Sequence, residues 1–551
     1  MKKVSQNPSS VRFFIVFLLF LSPFLISSAT TNYYFYVQFA NKNKSPYSLS
    51  NPAAFLSERA IARRATFLIT CDSTDLPISP TYLQQIENLG IHVHSRCKWM
   101  NGATVILSDS SKMSQVRALP FVKFVEYTGL LNGAPLAPAQ KLKAQTNTDY
   151  GIASAQINQL SGKYLHNHGF RGKGIQVGVL DAGFMNVNAN PCFDSLRLQG
   201  RLLGTKDIIN PASDIYAEDA HGAMVLSTMT ANLPGQYLGT APDASFWLIR
   251  TEYAATEYKV ETDFWCSGIE FADSVGVDVI NSSLGYYTFD DPSMSFSYAS
   301  MTGKVSRASR AATLASKKGI IVVVSAGNEG NSAWHYIGSP ADAEDIIAVG
   351  ALNADSTSSS FSSFGPSYDN RVKPEICSIG TLSALVYPNG YVGTGSGTSF
   401  ASPIMAGMMA CYLQASRKSN PVLSIQNIQK TVFESANLYA NPTAQKGYGI
   451  PNFETACRHL SVFTNLSDIA TADKYSLSFN PANKTIHIWR QNNSNNIEST
   501  VKLYSMTGQL VASKRINQST IYFDTNKLTA GIYAVCISEN GRNETHTIIV
   551  Y

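Results

Sequence analysis

Ile320-Ile321-Val322-Val323-Val324 is a continuous apolar run that leads straight into Ser325-Ala326-Gly327-Asn328-Glu329-Gly330. A strand with no polar alternation is buried on both faces, as in a sheet covered by helices on each side. Similar short runs stand at 175–180, 246–249, 277–280 and 346–349, separated by helix-length segments. Strands that alternate with helices imply parallel pairing through right-handed crossovers, hence a doubly wound α/β sheet. Functional residues are then expected at the carboxyl ends of the strands.

The chain of 551 residues exceeds a single core, and its rhythm changes twice. Lys2, Lys3 and Arg12 precede the apolar run 13–26, and Ser27-Ser28-Ala29 follows with small residues, the pattern of a secretory signal peptide over 1–29. That run is short for a membrane span, and no later segment offers about eighteen uninterrupted apolar residues, so no transmembrane segment is expected in the mature chain. Residues 30–140 read as a small α+β module, with strands at 34–39, 103–107 and 122–127. Its helices are expected at 80–89 and 110–119, with a further one opened by Asn51-Pro52 and running through Arg64. The stretch 131–148, rich in Gly, Pro, Gln and Asn, suits an exposed, cleavable connection. The α/β rhythm fills 150–460. From 465 to 551 the apolar positions recur at every second residue (Ile486 and Ile488, Val501 and Leu503, then 532–537 and 548–550), a small all-β sandwich.

Composition excludes some functions. Hydrophobic residues at 44% against 15% charged describe folded domains rather than a disordered chain. A net charge of +5 without a long basic run gives nucleic-acid binding no support. The eight cysteines are scattered and form no CxxC pair, so they do not read as a disulfide framework; Cys266 and Cys411 lie in helical apolar contexts and are expected to be buried. His92-x-His94 and His166-x-His168 lack further ligands at zinc spacing and are expected at the surface, and no metal residue is assigned.

Three polar residues stand where such a sheet places function. Asp181 ends the run in Val179-Leu180-Asp181-Ala182-Gly183, where a part-buried carboxylate needs a donor; an imidazole N–H would serve, although a strand-ending aspartate is also a common turn or cap. His221, in Asp219-Ala220-His221-Gly222-Ala223-Met224, stands at the entry of a helix, whose dipole keeps an imidazole neutral and able to accept a proton. Ser399 lies in Gly393-Thr394-Gly395-Ser396-Gly397-Thr398-Ser399-Phe400-Ala401-Ser402-Pro403, which runs into an apolar helix over 404–413. The glycines permit a tight turn that exposes the hydroxyl, and the helix start aims backbone N–H groups at charge developing beside it.

Gly397-Thr398-Ser399-Phe400-Ala401-Ser402-Pro403 resembles the nucleophile motif of the subtilisin-like proteases, the subtilases, and the order Asp, His, Ser is that family's order. The resemblance, over about 150–460, implies a secreted serine endopeptidase with Asp181, His221 and Ser399 as its triad. It makes Asn328, in the string 324–330, the side-chain donor of the oxyanion hole together with the Ser399 amide. Asn281-Ser282-Ser283-Leu284-Gly285 resembles the segment that pairs with the substrate main chain, so Ser283, Leu284 and Gly285, with Ser325, Ala326 and Gly327 opposite, are expected to bind substrate as an added strand. Gly338-Ser339-Pro340-Ala341 resembles the base of the specificity pocket, with Gly338 lining it and Ser339-Pro340 as a cis bond. Phe361-Ser362-Ser363-Phe364-Gly365-Pro366 and Val372-Lys373-Pro374-Glu375 resemble family segments as well. Two positions depart from the family: Ala182 and Ala223 stand where it usually carries hydroxylated residues beside the catalytic groups.

The flanks resemble family additions. Residues 30–140 are placed like a propeptide, which would act as the enzyme's own inhibitor and folding aid. The tail, with Asn480-Pro481, the string 503–511 and Leu528-Thr529-Ala530-Gly531-Ile532-Tyr533, resembles the sorting domain of type IX secretion cargo. It implies export to the medium or outer surface of a Gram-negative cell through dealings with a secretion machinery. The expected partners are polypeptide substrates, with no required cofactor; subtilases often bind structural calcium, for which the sequence locates no site. The competing readings are a catalytically silent surface-binding protein on the same fold and a serine esterase using the same triad.

Overall fold

The structure is a computed structural model that describes residues 32–131, 150–419 and 423–463, with most of 475–550. The expected signal peptide at 1–29 and nearly all of the connection at 131–148 lie outside the described residues.

The N-terminal module pairs four antiparallel strands, β1 (Tyr33–Phe39), β2 (His92–Cys97), β3 (Gly102–Leu107) and β4 (Val122–Leu130), in the order β2-β3-β1-β4. Strand β1 is buried on both faces. Phe35, Val37 and Phe39 meet the module's own core, including Leu83 and Ile86, while Tyr34 and Tyr36 enter the core of the following domain. The helix expected from Asn51 through Arg64 divides instead. A single 3-10 turn, Pro52–Ala54, precedes α1 (Glu58–Thr66). The Asn51 side chain makes no capping bond, whereas the Ser57 hydroxyl accepts the Ala60 N–H at 3.2 Å and so sets the true start. Pro80–Glu87 forms α2 as expected, and the expected helix at 110–119 is a 3-10 turn leading into Met113–Arg117.

The central domain is a seven-stranded parallel sheet: β5 (Gln176–Asp181), β6 (Leu202–Asp207), β7 (Ser245–Arg250), β8 (Val279–Ser282), β9 (Ile321–Ser325), β10 (Ile347–Leu352) and β11 (Ile376–Ile379). Their order is β11-β10-β9-β8-β5-β7-β6. Helices α3 (His221–Thr230), α4 (Val260–Val275), α5 (Arg307–Lys317) and α6 (Thr398–Ser419) cover it. Along β9, Ile321 and Val323 pack into the core that holds α3 and α6, while Val322 and Val324 pack into the core that holds α4 and α5. Double-sided burial therefore explains the unbroken apolar run, each such side chain contributing about 1.5–3 kcal/mol. The two strands that the apolar pattern misses are the edges: β6 is half-exposed and mixed in polarity, and β11 is only Ile-Cys-Ser-Ile.

The N-terminal sheet docks on α4 and α5 through buried charge. Asp273 of α4 receives both Arg63 and Arg64 of α1, the latter at 2.8 Å, and Arg64 also holds Asp75 at 3.0 Å. Glu270 accepts the backbone N–H groups of Lys98 and Trp99, each at 2.8 Å, and the Cys97 thiol at 3.0 Å. Glu126 of β4 pairs with Lys259 and Arg307, at the first turns of α4 and α5. Burial works against ionised Asp273, but Arg63 and Arg64 outweigh it and hold the carboxyl below its ordinary range.

The tail forms a three-stranded antiparallel sheet (Tyr475–Asn480, Thr485–Arg490, Thr520–Asp524) and a four-stranded one (Ser499–Ser505, Leu510–Ile516, Gly531–Glu539, Arg542–Val550). Ile486 and Ile488 from the first share one core with Val501, Leu503, Val535 and Ile537 from the second, as period-two burial requires.

Asp273→Ala leaves the buried Arg63 guanidinium, 1% exposed, without its carboxylate and Arg64, 2% exposed, with Asp75 alone. Breaking a buried pair by removing one partner costs about 3–5 kcal/mol. Thermal unfolding of the unprocessed chain should show a clearly lowered first transition; an unchanged melting curve would remove Asp273 as the anchor of the module.

Candidate active site

The order of strands reverses at β5: the chain first adds β6 and β7 on one side, then β8 to β11 on the other. A crevice opens at such a switch point, beyond the carboxyl ends of the strands. Asp181 is the last residue of β5, and Ser283 directly follows β8.

Asp181 is fully buried, and its Oδ1 accepts the Ala182 N–H and the His221 Nδ1, both at 2.8 Å. Its Oδ2 has no hydrogen-bond partner among the described residues. That gap lies next to Ala182, one of the two positions where the expected hydroxyl is missing. His221 is the first residue of α3, and Asp219 accepts its backbone N–H at 2.7 Å, closing the helix start. The bond to Asp181 fixes Nδ1 as the protonated nitrogen and leaves Nε2 to act as a base, with the side chain 29% exposed. Burial disfavours the imidazolium, but the charge and hydrogen bond of Asp181, followed by Asp219 and Glu252, outweigh it and raise the His221 pKa above 6.5.

Ser399 is the second residue of α6, and the ring of the adjoining Phe400 lies 5.9 Å from the His221 ring. Pro403 has no N–H to give to the carbonyl four residues back, which is that of Ser399. The Ser283 hydroxyl donates to that carbonyl at 2.9 Å, tying the nucleophile to the end of β8. Asn281 extends the tie: its Nδ2 donates to Ser283 Oγ at 3.1 Å, and its Oδ1 accepts the Ser402 hydroxyl at 2.8 Å. The Ser399 hydroxyl itself makes only a long contact, 3.4 Å to the Ser283 carbonyl.

Asn328 follows β9. Its Oδ1 accepts both the N–H and the hydroxyl of Thr398, at 2.8 and 2.9 Å, so its amide nitrogen is turned away from Thr398. Gly397, at φ +152°, has no side chain on the face that looks into the crevice. A Cβ there would stand 3.7 Å from the Asn328 Nδ2 and 3.7 Å from the Ser399 backbone nitrogen. The Asn328 Nδ2 and the Ser399 backbone nitrogen thus both border the position of that Cβ, with the Asn328 Oδ1 at 3.8 Å.

The remaining expected residues line the same edge. Leu284 and Gly285 continue from Ser283; Ser325 ends β9, with Ala326 and Gly327 between it and Asn328. Gly338 lies against the backbone of Tyr286, and Tyr286 and Ser339 exchange backbone hydrogen bonds at 2.7 and 3.0 Å. Ser339-Pro340 is cis, as are Gly365-Pro366 and Lys373-Pro374. Thr398, Asp219 and Gly397 carry roles that the sequence left unassigned, and Glu252 enters the field of His221 from the connection after β7. Cys266 and Cys411 are buried as expected.

The histidine pairs need correction. His92 and His168 are exposed, but His166 is buried, with Nε2 at 2.9 Å from the Thr240 carbonyl and Nδ1 at 3.2 Å from the Tyr150 hydroxyl. Burial lowers its pKa to about 4. His94 is half-buried against Phe264, because the module docks there.

Residues 172–450 match the Subtilase family model, residues 34–148 the Peptidase S8 propeptide domain of Bacteroidota, and residues 480–551 the Secretion system C-terminal sorting domain. Subtilisin NAT of Bacillus subtilis subsp. natto is 28% identical over 378 residues, covering 68% of this chain and 85% of that protein. Subtilisin of Bacillus pumilus is 29% identical over 307 residues, 55% of this chain and 98% of its own. Serine protease AprX of Bacillus subtilis (strain 168) is 30% identical over 290 residues, 47% of this chain and 60% of its own. The sorting domain indicates type IX secretion, to the medium or the cell surface. With its own propeptide and export tail around the domain that holds the crevice, the chain belongs to the subtilase family of secreted serine endopeptidases.

Proposed function

We propose that Ser399 attacks the substrate carbonyl, that His221 takes the hydroxyl proton through Nε2 and returns it to the leaving amine, and that Asp181 holds the ring and stabilises the imidazolium. Asn328 Nδ2 and the Ser399 N–H receive the oxyanion, and water then repeats the cycle on the acyl-enzyme. The convergence of those two donors beside Gly397 carries this reading. Substrate lies as a strand between 283–285 and 325–327, with Gly338 in the side-chain pocket. The N-terminal module, residues 30–140, blocks the cleft until the connection after it is cut; β4 supports this by ending at Leu130, past the close approach of Gly129 to Tyr258. The catalytic domain spans 150–460, the sorting domain 465–551, and a signal peptide over 1–29 delivers the chain to the outer-membrane route.

Ser399→Ala should abolish fluorophosphonate labelling and casein cleavage together; ester turnover without casein cleavage by the parent would favour an esterase. Asn328→Ala should lower kcat by about 10²–10³ with little change in KM, and Gly397→Ala should do likewise by filling the oxyanion space. Wild-type kcat in Gly397→Ala would contradict the assignment.

Since His221 must be neutral to accept a proton, kcat/KM should fall as pH drops through its raised pKa, above 6.5. Asp219→Asn keeps the acceptor for the His221 N–H but removes a charge that raises that pKa. Its acid limb should therefore move to lower pH; a limb that stays in place would assign the fall to another group. Mass mapping of the secreted enzyme should find a new N-terminus between about residues 130 and 150, and an active enzyme that starts near residue 30 would overturn the propeptide assignment.

A further inference from the structure

Behind the catalytic histidine three further acids converge. Glu252 follows β7, Glu257 stands in the connection, and Glu261 is in the first turn of α4. One carboxylate oxygen from each lies within 4.8 Å of the other two. Glu261 is fully buried, and neither of its oxygens, nor Oε1 of Glu257, has a hydrogen-bond partner of good geometry among the described residues. Glu252 accepts the Tyr286 hydroxyl at 3.0 Å and lies within hydrogen-bonding reach of Glu261, so those two carboxyls can share one proton.

Nearby cations are committed elsewhere. Lys259, in the same connection, reaches out to Glu126, and Arg307 serves Glu126 and Asp263. Burial, and then repulsion within the cluster, raises the carboxyl of Glu261 far above its ordinary range, with the Tyr253 amide opposing only in part. Burial likewise raises Glu257 to about 9 and Glu252 to about 7. One fully buried carboxyl and two half-buried ones, crowded together with so few donors, are stable only if they retain protons or share a positive ion.

We propose that Glu252, Glu257 and Glu261 form a calcium site that ties the 251–259 connection to the start of α4. The donor set is oxygen alone, which suits a hard cation. Oxygens on opposite sides of calcium stand about 4.6–5.2 Å apart, twice the Ca–O distance, whereas magnesium needs roughly 4.0–4.2 Å and strict octahedral geometry. The site shares no ligand with the proposed triad or oxyanion hole, so it stands independently of them.

The test uses the full chain with Ser399→Ala, which prevents self-cleavage, stripped with EDTA and titrated with calcium in a calorimeter and by thermal melting. The parent should bind one calcium more per chain than Glu261→Gln or Glu257→Gln, and calcium should raise its Tm by a few degrees more than theirs. In EDTA both variants should melt at or above the parent, because the repulsion is relieved, which also shows that they fold. Equal stoichiometry in parent and variants, or a Tm rise with arginine amide in place of calcium, would overturn the proposal and leave the cluster as a protonated network or a basic-side-chain subsite.

Discussion

A parallel strand cannot turn straight back on its neighbour, and this constraint governs the molecule. Every strand of the central sheet must be followed by a crossover, so all seven carboxyl ends face the same edge. Where the order reverses between β5 and β8, the crossovers leave in opposite directions and the edge stays open. Asp181, His221, Ser283 and Ser399 meet there although they are far apart in the chain. The missing N–H of Pro403 completes the assembly: it frees the Ser399 carbonyl inside α6, and only a donor from outside the helix, the Ser283 hydroxyl, satisfies it. Ser399, the proposed nucleophile, is thus fastened to the sheet through its backbone, and its hydroxyl is left with one long contact among the described residues.

The same helices that bury one face of the sheet offer charges to the N-terminal module. Asp273 and Glu270 point out of α4 into a surface that would be open water without that module. Buried ion pairs of this kind contribute little net stability against an apolar alternative, but losing one partner is costly. The interface therefore tolerates separation only if both sides become wet together, as when a cut module departs whole. The interface is also apolar: Tyr34, Tyr36, Trp99 and Met100 of the module share one core with Phe264, Trp265 and Ile269 of α4.

The strands with two buried faces were legible because burial on both sides erases polar alternation, as at 320–324. The edges were not, since half-exposed Leu202–Asp207 carries no such pattern. Asn51-Pro52 misled because a capping residue type is only an opportunity; the bond was made by Ser57. His166 reads as a surface residue until Tyr150 and Thr240 arrive from distant segments to satisfy both ring nitrogens. In the candidate site, Ser399 and Asn328 were legible from contiguous strings. Asp181 and His221 were ambiguous singly and gained meaning from the bond between them. The Glu252, Glu257 and Glu261 group had no local signature, because it depends on a loop folding back on the helix that follows.

The arrangement of charge around the site has a direction. Asp181, Asp219 and Glu252 all act on His221, where positive charge would develop in the proposed reaction. The space beside Gly397 receives only neutral donors, Asn328 Nδ2 and the Ser399 N–H, at the start of α6 whose dipole favours an anion. In the proposed mechanism, anions on one side and dipoles on the other would lower the cost of separating charge between imidazolium and oxyanion. Ala182 bears on the first half of that balance. With no hydroxyl beside it, Asp181 Oδ2 keeps its charge unshared by any described donor, so more of that charge is felt by His221. A hydroxyl there would stabilise the carboxylate itself and soften its pull on the ring. The departure at Ala182 therefore removes no proton-transfer partner of the proposed triad and leaves Asp181 Oδ2 without a described donor.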